Sequence, residues 1–173
     1  MLLVADTTAL RYLIEIEAVH LLPALFGQVI IPPEVAAELQ RPNTPAPVRA
    51  WMASPPSWLI IRQPTMPPDP RLRRLHAGEH DALLLIYEAA APLFLTDDSS
   101  AYRVALAQHI PVLRTLRLLE MAAEKGLIDL PTAFARLRAT TFYAPDEVMV
   151  EMLTRDAARK AASQAQPPEP QEA

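Results

Sequence analysis

Four acids in this chain stand where a parallel sheet could gather them. Asp6 directly follows the apolar run Leu2-Leu3-Val4-Ala5, Glu38 lies on the helical pattern after Val29-Ile30-Ile31, Asp81 opens a long apolar helix, and Asp98 follows Leu93-Phe94-Leu95. In open α/β sheets the carboxyl ends of the strands share one edge, so acids that follow strands converge although they are distant in sequence. Converging carboxylates repel unless a cation sits among them. With no cysteine in the chain and lysine only at Lys125 and Lys160, the fitting occupant is a hard divalent ion, Mg²⁺ or Mn²⁺, which takes carboxylate and water oxygens. Such a site suits hydrolysis of a phosphodiester, where the ion activates water and stabilises the leaving oxygen.

Each acid also has an ordinary structural reading. Asp6 and Asp98 precede helices, where aspartate is a favoured N-cap. Glu79 and Asp81 fit the first turn of a helix, where acids suit the dipole, and Glu38 reads equally as a solvated helical glutamate. Two features favour the site. Asp6 follows a buried strand rather than a loop, and Asp97-Asp98 places two charges at a turn that needs one cap.

The elements that would position these acids follow from periodicity. Short β-branched or apolar runs at 2–5, 28–31, 58–61, 92–96 and 110–113 read as strands. Between them, Leu10, Leu13, Ile14, Leu21, Leu22, Leu25 and Phe26 recur at helical spacing and end at Gly27, and Pro33 starts a helix over 34–40. Further helices are predicted at 48–52, from Gly78 to Ala90, after Asp98, over 115–125 and 131–139, and from Pro145 to about Arg159. The proline-rich run 63–70 reads as a surface loop. Strands alternating with helices imply parallel strands joined by right-handed crossovers, hence a three-layer α/β/α sandwich. One domain over 1–160 is expected, with the helices from 131 to 159 packed on it and a disordered Ala/Gln/Pro/Glu-rich tail at 161–173.

Composition bounds the function. The absence of cysteine excludes disulfides, thiolate zinc sites and cysteine nucleophiles. A net charge of −4 argues against bulk electrostatic binding of nucleic acid but permits a local arginine rim. The longest apolar stretch, 82–95, is interrupted by Glu88 and Pro92, so no membrane span is expected, and no signal peptide is apparent. A cytoplasmic location is the simplest expectation.

The segments Leu3-Val4-Ala5-Asp6-Thr7-Thr8-Ala9-Leu10, Ile31-Pro32-Pro33-Glu34-Val35-Ala36-Ala37-Glu38-Leu39, Gly78-Glu79-His80-Asp81-Ala82-Leu83 and Leu95-Thr96-Asp97-Asp98 together resemble the successive motifs of PIN-domain nucleases. The closer resemblance is to the branch related to VapC-type toxins of toxin–antitoxin pairs. It runs over about residues 1–155 and includes Lys125-Gly126-Leu127-Ile128. It implies a five-stranded parallel sheet, Mg²⁺- or Mn²⁺-dependent cleavage of RNA, a homodimer, and inhibition by a small antitoxin. Carried over by position, Asp6, Glu38, Asp81 and Asp98 match the catalytic acids. Asp6, Asp81 and Asp98 would hold the metal and Glu38 would bind it or order the attacking water. Glu79 and Asp97 match auxiliary acids, and Thr8 a supporting hydroxyl. The chain departs from the branch at Ala9, where proline is frequent, and at Arg114-Thr115-Leu116-Arg117, where a glycine-containing turn is frequent.

Arg114, Arg117 and Arg74 are candidate RNA contacts, against a reading as solvated helix or loop residues. Two other functions stand beside this one. A PIN-like module acting only by binding RNA or protein would keep the fold without turnover. A phosphate-handling receiver or phosphatase would need an acid pair at the first strand or a second aspartate at position 8, which is Thr8.

Overall fold

A computed structural model describes residues 2–91 and 93–165. By compactness the chain divides into two units, one ending at Leu118 and the other beginning at Leu119. In the first, β1 (Leu2–Ala5), β2 (Gln28–Ile31), β3 (Leu59–Ile61), β4 (Leu93–Leu95) and β5 (Val112–Leu113) form one sheet. Its order is β3-β2-β1-β4-β5, and every pairing is parallel. Helices flank the sheet, so the α/β architecture expected from the alternation of elements is the one observed.

The strands form because β-branched and leucine residues fill both faces of a sheet covered on both sides. Register places Val4 beside Ile30 and Phe94. With period-two alternation these three share a face. They form one buried cluster with Leu83, Leu84, Leu85 and Ile86 of α5 (Ala77–Ala89) and Ala101 and Ala105 of α6 (Ser99–Ala107). Leu3, Val29 and Leu95 lie on the same strands and are also fully buried. The helix α1 (Thr7–Glu15) buries Ala9, Leu10, Leu13 and Ile14, the spacing of one helical face. After α2 (Leu21–Phe26), Gly27 takes φ +80°, a left-handed C-cap that suits glycine. The helix α3 (Pro33–Leu39) starts on its proline, and α4 (Ala46–Met52) packs against both α1 and α3.

The run 63–70 is a loop up to its last residue, where Pro70 begins a single 3-10 turn to Leu72. Glu88 on α5 fixes the start of this loop. Its carboxylate accepts from the backbone N–H of Met66 at 2.5 Å and from that of Thr65, and pairs with Arg62 at 3.2 Å.

Order within β1 and β4 sets the place for chemistry. The chain leaves β1 for β2 and β3 on one side and returns to β4 and β5 on the other, so the strand order reverses between β1 and β4. At such a switch point the crossovers diverge and open a crevice at the carboxyl edge.

The second unit holds the rest of α7 (Thr115–Glu124), α8 (Leu130–Arg138) and α9 (Asp146–Ala165). Gly126, at φ +70°, turns the chain after α7. The helix α9 continues through Ala165, past the end expected near Arg159, so the first five residues of the expected tail are helical. Alanine-rich sequence sustains helix without any packed face. Residues 166–173 lie outside the described residues, as does Pro92. Asp129 caps α8, accepting from Thr132 N at 3.1 Å and Thr132 Oγ1 at 2.7 Å, and pairs with Lys160 Nζ on α9 at 2.9 Å. The lysine bond and the cap hold its carboxyl down to about 2. Asp129→Ala removes both interactions, and urea unfolding is expected to show a loss of about 1 kcal/mol, the usual cost of an N-cap.

Candidate active site

Asp6 directly follows β1 and is only 2 % exposed. It is both a cap and a member of the cleft. Oδ1 accepts from Ala9 N at 3.1 Å, closing the first turn of α1, and Oδ2 accepts from the hydroxyl of Thr96. Parallel register makes the second contact: Ala5 pairs with Leu95, so the next residues, Asp6 and Thr96, emerge side by side. The Thr96 hydroxyl also accepts from Asp98 N at 3.1 Å. One hydroxyl therefore ties the acid after β1 to the turn after β4.

Asp98 caps α6, Oδ1 accepting from Ser100 N at 2.6 Å and Ala101 N at 2.8 Å. Glu38 sits on the last turn of α3 and accepts from Thr7 Oγ1 at 2.5 Å. Glu79 is at the first turn of α5, where Oε2 accepts from His76 N at 3.2 Å. The approach of α3 and α5 depends on Gly78. A methyl group there would press on Val35 Cγ2 at 3.2 Å and lie in ordinary contact with Glu38 Oε2 at 3.6 Å, so a side chain would crowd the approach of α3.

Asp6, Thr7, Thr8, Glu38, Arg41, His76, Glu79 and Asp98 line one open cleft of about 340 Å³. Since a water occupies about 30 Å³, this has room for a hydrated cation and a phosphate. Asp6, Glu38, Asp98, Glu79 and Thr8 thus share one cleft. Asp81 is not among the lining residues. A helix turns about 100° per residue, so Asp81 and Glu79, two positions apart, point in nearly opposite directions. Asp81 Oδ1 instead lies 2.8 Å from His80 Nδ1. Asp97 turns toward the start of α7, accepting from Thr115 N at 3.1 Å and Thr115 Oγ1 at 2.5 Å.

The candidate RNA contacts lie elsewhere. Arg114 donates to the Asp97 carbonyl at 2.9 Å and stacks 5.3 Å over the Tyr102 ring. Arg74 is exposed in the turn before α5, and Arg117 is exposed on α7. Neither these nor Arg114 lines the cleft.

Electrostatics reflect the crowding of acids. Burial pushes the Asp6 carboxyl up to about 7, against the lowering effect of the Thr96 and Ala9 hydrogen bonds and with the help of nearby Asp97 and Glu79. Glu79 is raised by burial and by the charge of Asp98, and Asp97 by burial. A group of carboxylates held above their ordinary range is short of positive charge, which is the condition a divalent ion relieves.

The donor set fits Mg²⁺ or Mn²⁺ in kind, being all carboxylate oxygen with adjacent hydroxyls. Among the described residues, Glu79 Oε1 and Asp98 Oδ2 carry no hydrogen bond, and Glu38 Oε1 has only a 3.5 Å approach from Arg41. Among those same residues no three acids or histidines are close enough to form a ready-made cage. An ion that keeps several waters suits such spacing better than one that demands a full protein shell.

Thr7, Arg41 and His76 also line the cleft and Thr96 braces Asp6, although no motif or spacing marks them in the sequence. Thr96 was available from the parallel register with Asp6. Thr7 differs from Thr8 only in direction around α1, which periodicity does not resolve at a helix start. Arg41 and His76 lie just outside the helices that carry Glu38 and Glu79.

Neither a curated protein nor a solved structure matches the chain. The family model DUF3368, described as a PIN domain, matches residues 2–157 and so runs through both units. The fold, the acids at the β1/β4 edge and this match agree: the chain belongs to the PIN-domain family.

Proposed function

We propose that the protein is a metal-dependent endoribonuclease, the toxin component of a toxin–antitoxin pair. PIN-domain proteins are typically metal-dependent nucleases acting on nucleic acid. The observation that carries the reading for this chain is the meeting of Asp6, Glu38, Glu79 and Asp98 in one cleft at the β1/β4 switch point. Asp6, Asp98 and Glu79 would hold Mg²⁺ or Mn²⁺, with Glu79 in the place the sequence offers to Asp81. The ion supplies Lewis acidity, lowering the cost of generating a nucleophile from water and of releasing the leaving oxygen.

The chain's own groups do the rest. Glu38, steadied by the Thr7 hydroxyl, orients the attacking water and accepts its proton. Thr96 fixes the rotamer of Asp6, and Thr8 lines the wall beside it. A small antitoxin partner and a homodimer accompany the toxin role.

A purified full chain is expected to fragment single-stranded RNA with Mn²⁺, to do nothing with EDTA, and to leave DNA of the same sequence intact. Absence of cleavage under all conditions would sink the reading. Within it, Glu79→Gln is expected to lower cleavage at least tenfold, about 1.4 kcal/mol. Asp81→Asn, outside the cleft, should stay within about threefold of the parent. Equal losses in both would restore Asp81 to the site.

A second reading, a PIN fold that binds without turnover, draws support from the engagement of both Asp6 oxygens in internal hydrogen bonds. Thermal unfolding separates the two: an ion that binds the folded state raises Tm with concentration, and a Tm indifferent to millimolar Mn²⁺ would favour the binding module.

A further inference from the structure

We propose that Arg41 grips a phosphate of single-stranded RNA in the cleft and sets its register against the carboxylates. The inference rests on the nuclease reading above. A phosphodiester is an anion that must enter beside Asp6, Glu38, Glu79 and Asp98. Bound divalent charge offsets the acids but acts as a point charge and does not fix the substrate's orientation. A guanidinium does, because its planar fork matches two phosphate oxygens at once. Arg41 is the one arginine or lysine among the residues lining the cleft.

Its anchorage suits the task. Arg41 lies three residues after Glu38, just beyond the end of α3. Arg41 N donates to the Glu38 carbonyl at 3.2 Å, Thr44 N donates to the Arg41 carbonyl at 2.9 Å, and Thr44 Oγ1 donates to the Glu38 carbonyl at 2.9 Å. The backbone is therefore fixed beside the acid. The head is not: its side chain is 62 % exposed, and Glu38 Oε1 lies 3.5 Å away, longer than a strong charge-assisted hydrogen bond. A fixed stem with a weakly held head can exchange the carboxylate for a phosphate at little cost.

Three other arginines of the first unit are committed, and none of the rest lines the cleft. Arg71 forks onto Asp69 at 2.6–3.0 Å, Arg11 bonds Glu15 at 2.6 Å, and Arg114 is held by the Asp97 carbonyl and the Tyr102 ring. A cation at the end of α3 also suits the helix dipole, but that role is indifferent to RNA and predicts no kinetic effect.

The test measures RNA binding by fluorescence anisotropy with Ca²⁺ in place of Mn²⁺ over a salt series, and steady-state cleavage in Mn²⁺. Arg41→Ala is expected to raise KM about tenfold with kcat within about twofold. The slope of log affinity against log salt should become shallower by about 0.7, the value for one phosphate of a single strand. Arg41→Lys should restore the slope and only part of KM, since it keeps the charge and loses the fork. An Arg41→Ala chain that still cleaves with unchanged slope and KM overturns the proposal and leaves the nuclease reading standing, as does a fall in kcat alone. If the parent chain cleaves no RNA, the nuclease reading falls and this proposal with it.

Discussion

Asp6→Asn is expected to lower Mn²⁺-dependent cleavage by about 10²–10³-fold, several kcal/mol of transition-state stabilisation, while the protein stays folded. The substitution separates the two roles of this residue. Asparagine caps helices about as well as aspartate, so its amide oxygen can keep the 3.1 Å bond from Ala9 N. On the other side, the Thr96 hydroxyl can rotate to accept from the new amide, which keeps a hydrogen bond between the two residues. What disappears is the negative charge at the centre of the cleft, and with it the strongest oxygen donor for a hard cation. Circular dichroism and thermal unfolding should therefore match or exceed the parent while activity collapses. A variant that cleaves as fast as the parent would end the nuclease reading. One that loses both fold and activity would show that the Asp6 carboxylate serves mainly to hold the fold through its bond from Thr96.

The sheet and the positions of three of its acids were legible because they depend on local patterns. Apolar runs that end in Asp6 or in Thr96-Asp97-Asp98 and pass straight into helices leave little freedom in where those acids emerge. The place of Asp81 outside the cleft lining has a different origin. At positions 79 to 81 the sequence offers Glu, His and Asp in succession, and only the rotation of α5 about its axis decides which acid faces the cleft. That rotation is set by packing, with Ala82, Leu83 and Ile86 buried and Gly78 against Val35 and Glu38. The expected arginines stand outside the cleft lining for a related reason. Arg114 directly follows β5, yet the half-buried Asp97 and the ring of Tyr102 engage it, whereas Arg41 is brought in by a turn after α3 that carries no strong sequence signal. The length of α9 was misjudged because alanine and glutamine describe a solvated helix as well as a disordered tail.

The pH dependence of stability offers a second large effect, in metal-free protein. The Asp6 carboxyl is raised by burial from 3.8 to about 7. The folded state therefore keeps its proton where the unfolded chain has released it. The stabilisation is fully present below about pH 4 and is lost as pH rises through about 7. A rise of about three pH units at 1.36 kcal/mol each gives an effect on the order of 4 kcal/mol. Glu79 and Asp97, also raised, act in the same direction. Asp69, Glu88, Asp129 and Asp156 are held low by their hydrogen-bond and ion-pair partners, so they lose stability at acid pH instead. The parent curve alone therefore mixes opposing trends. The difference between parent and Asp6→Asn cancels the titrations of groups remote from the cleft and leaves that of Asp6 with its coupling to Asp97 and Glu79. Urea unfolding in EDTA at intervals from pH 4 to 8 is expected to show the asparagine variant gaining on the parent as pH rises, with most of the change between about pH 4 and 7. Saturating Mn²⁺ at pH 8 should reverse that gain, since an ion that binds the ionised cluster stabilises the parent by mass action. A difference that stays flat across the range would mean that Asp6 titrates as an ordinary carboxyl, and that the cleft does not hold its acids short of positive charge.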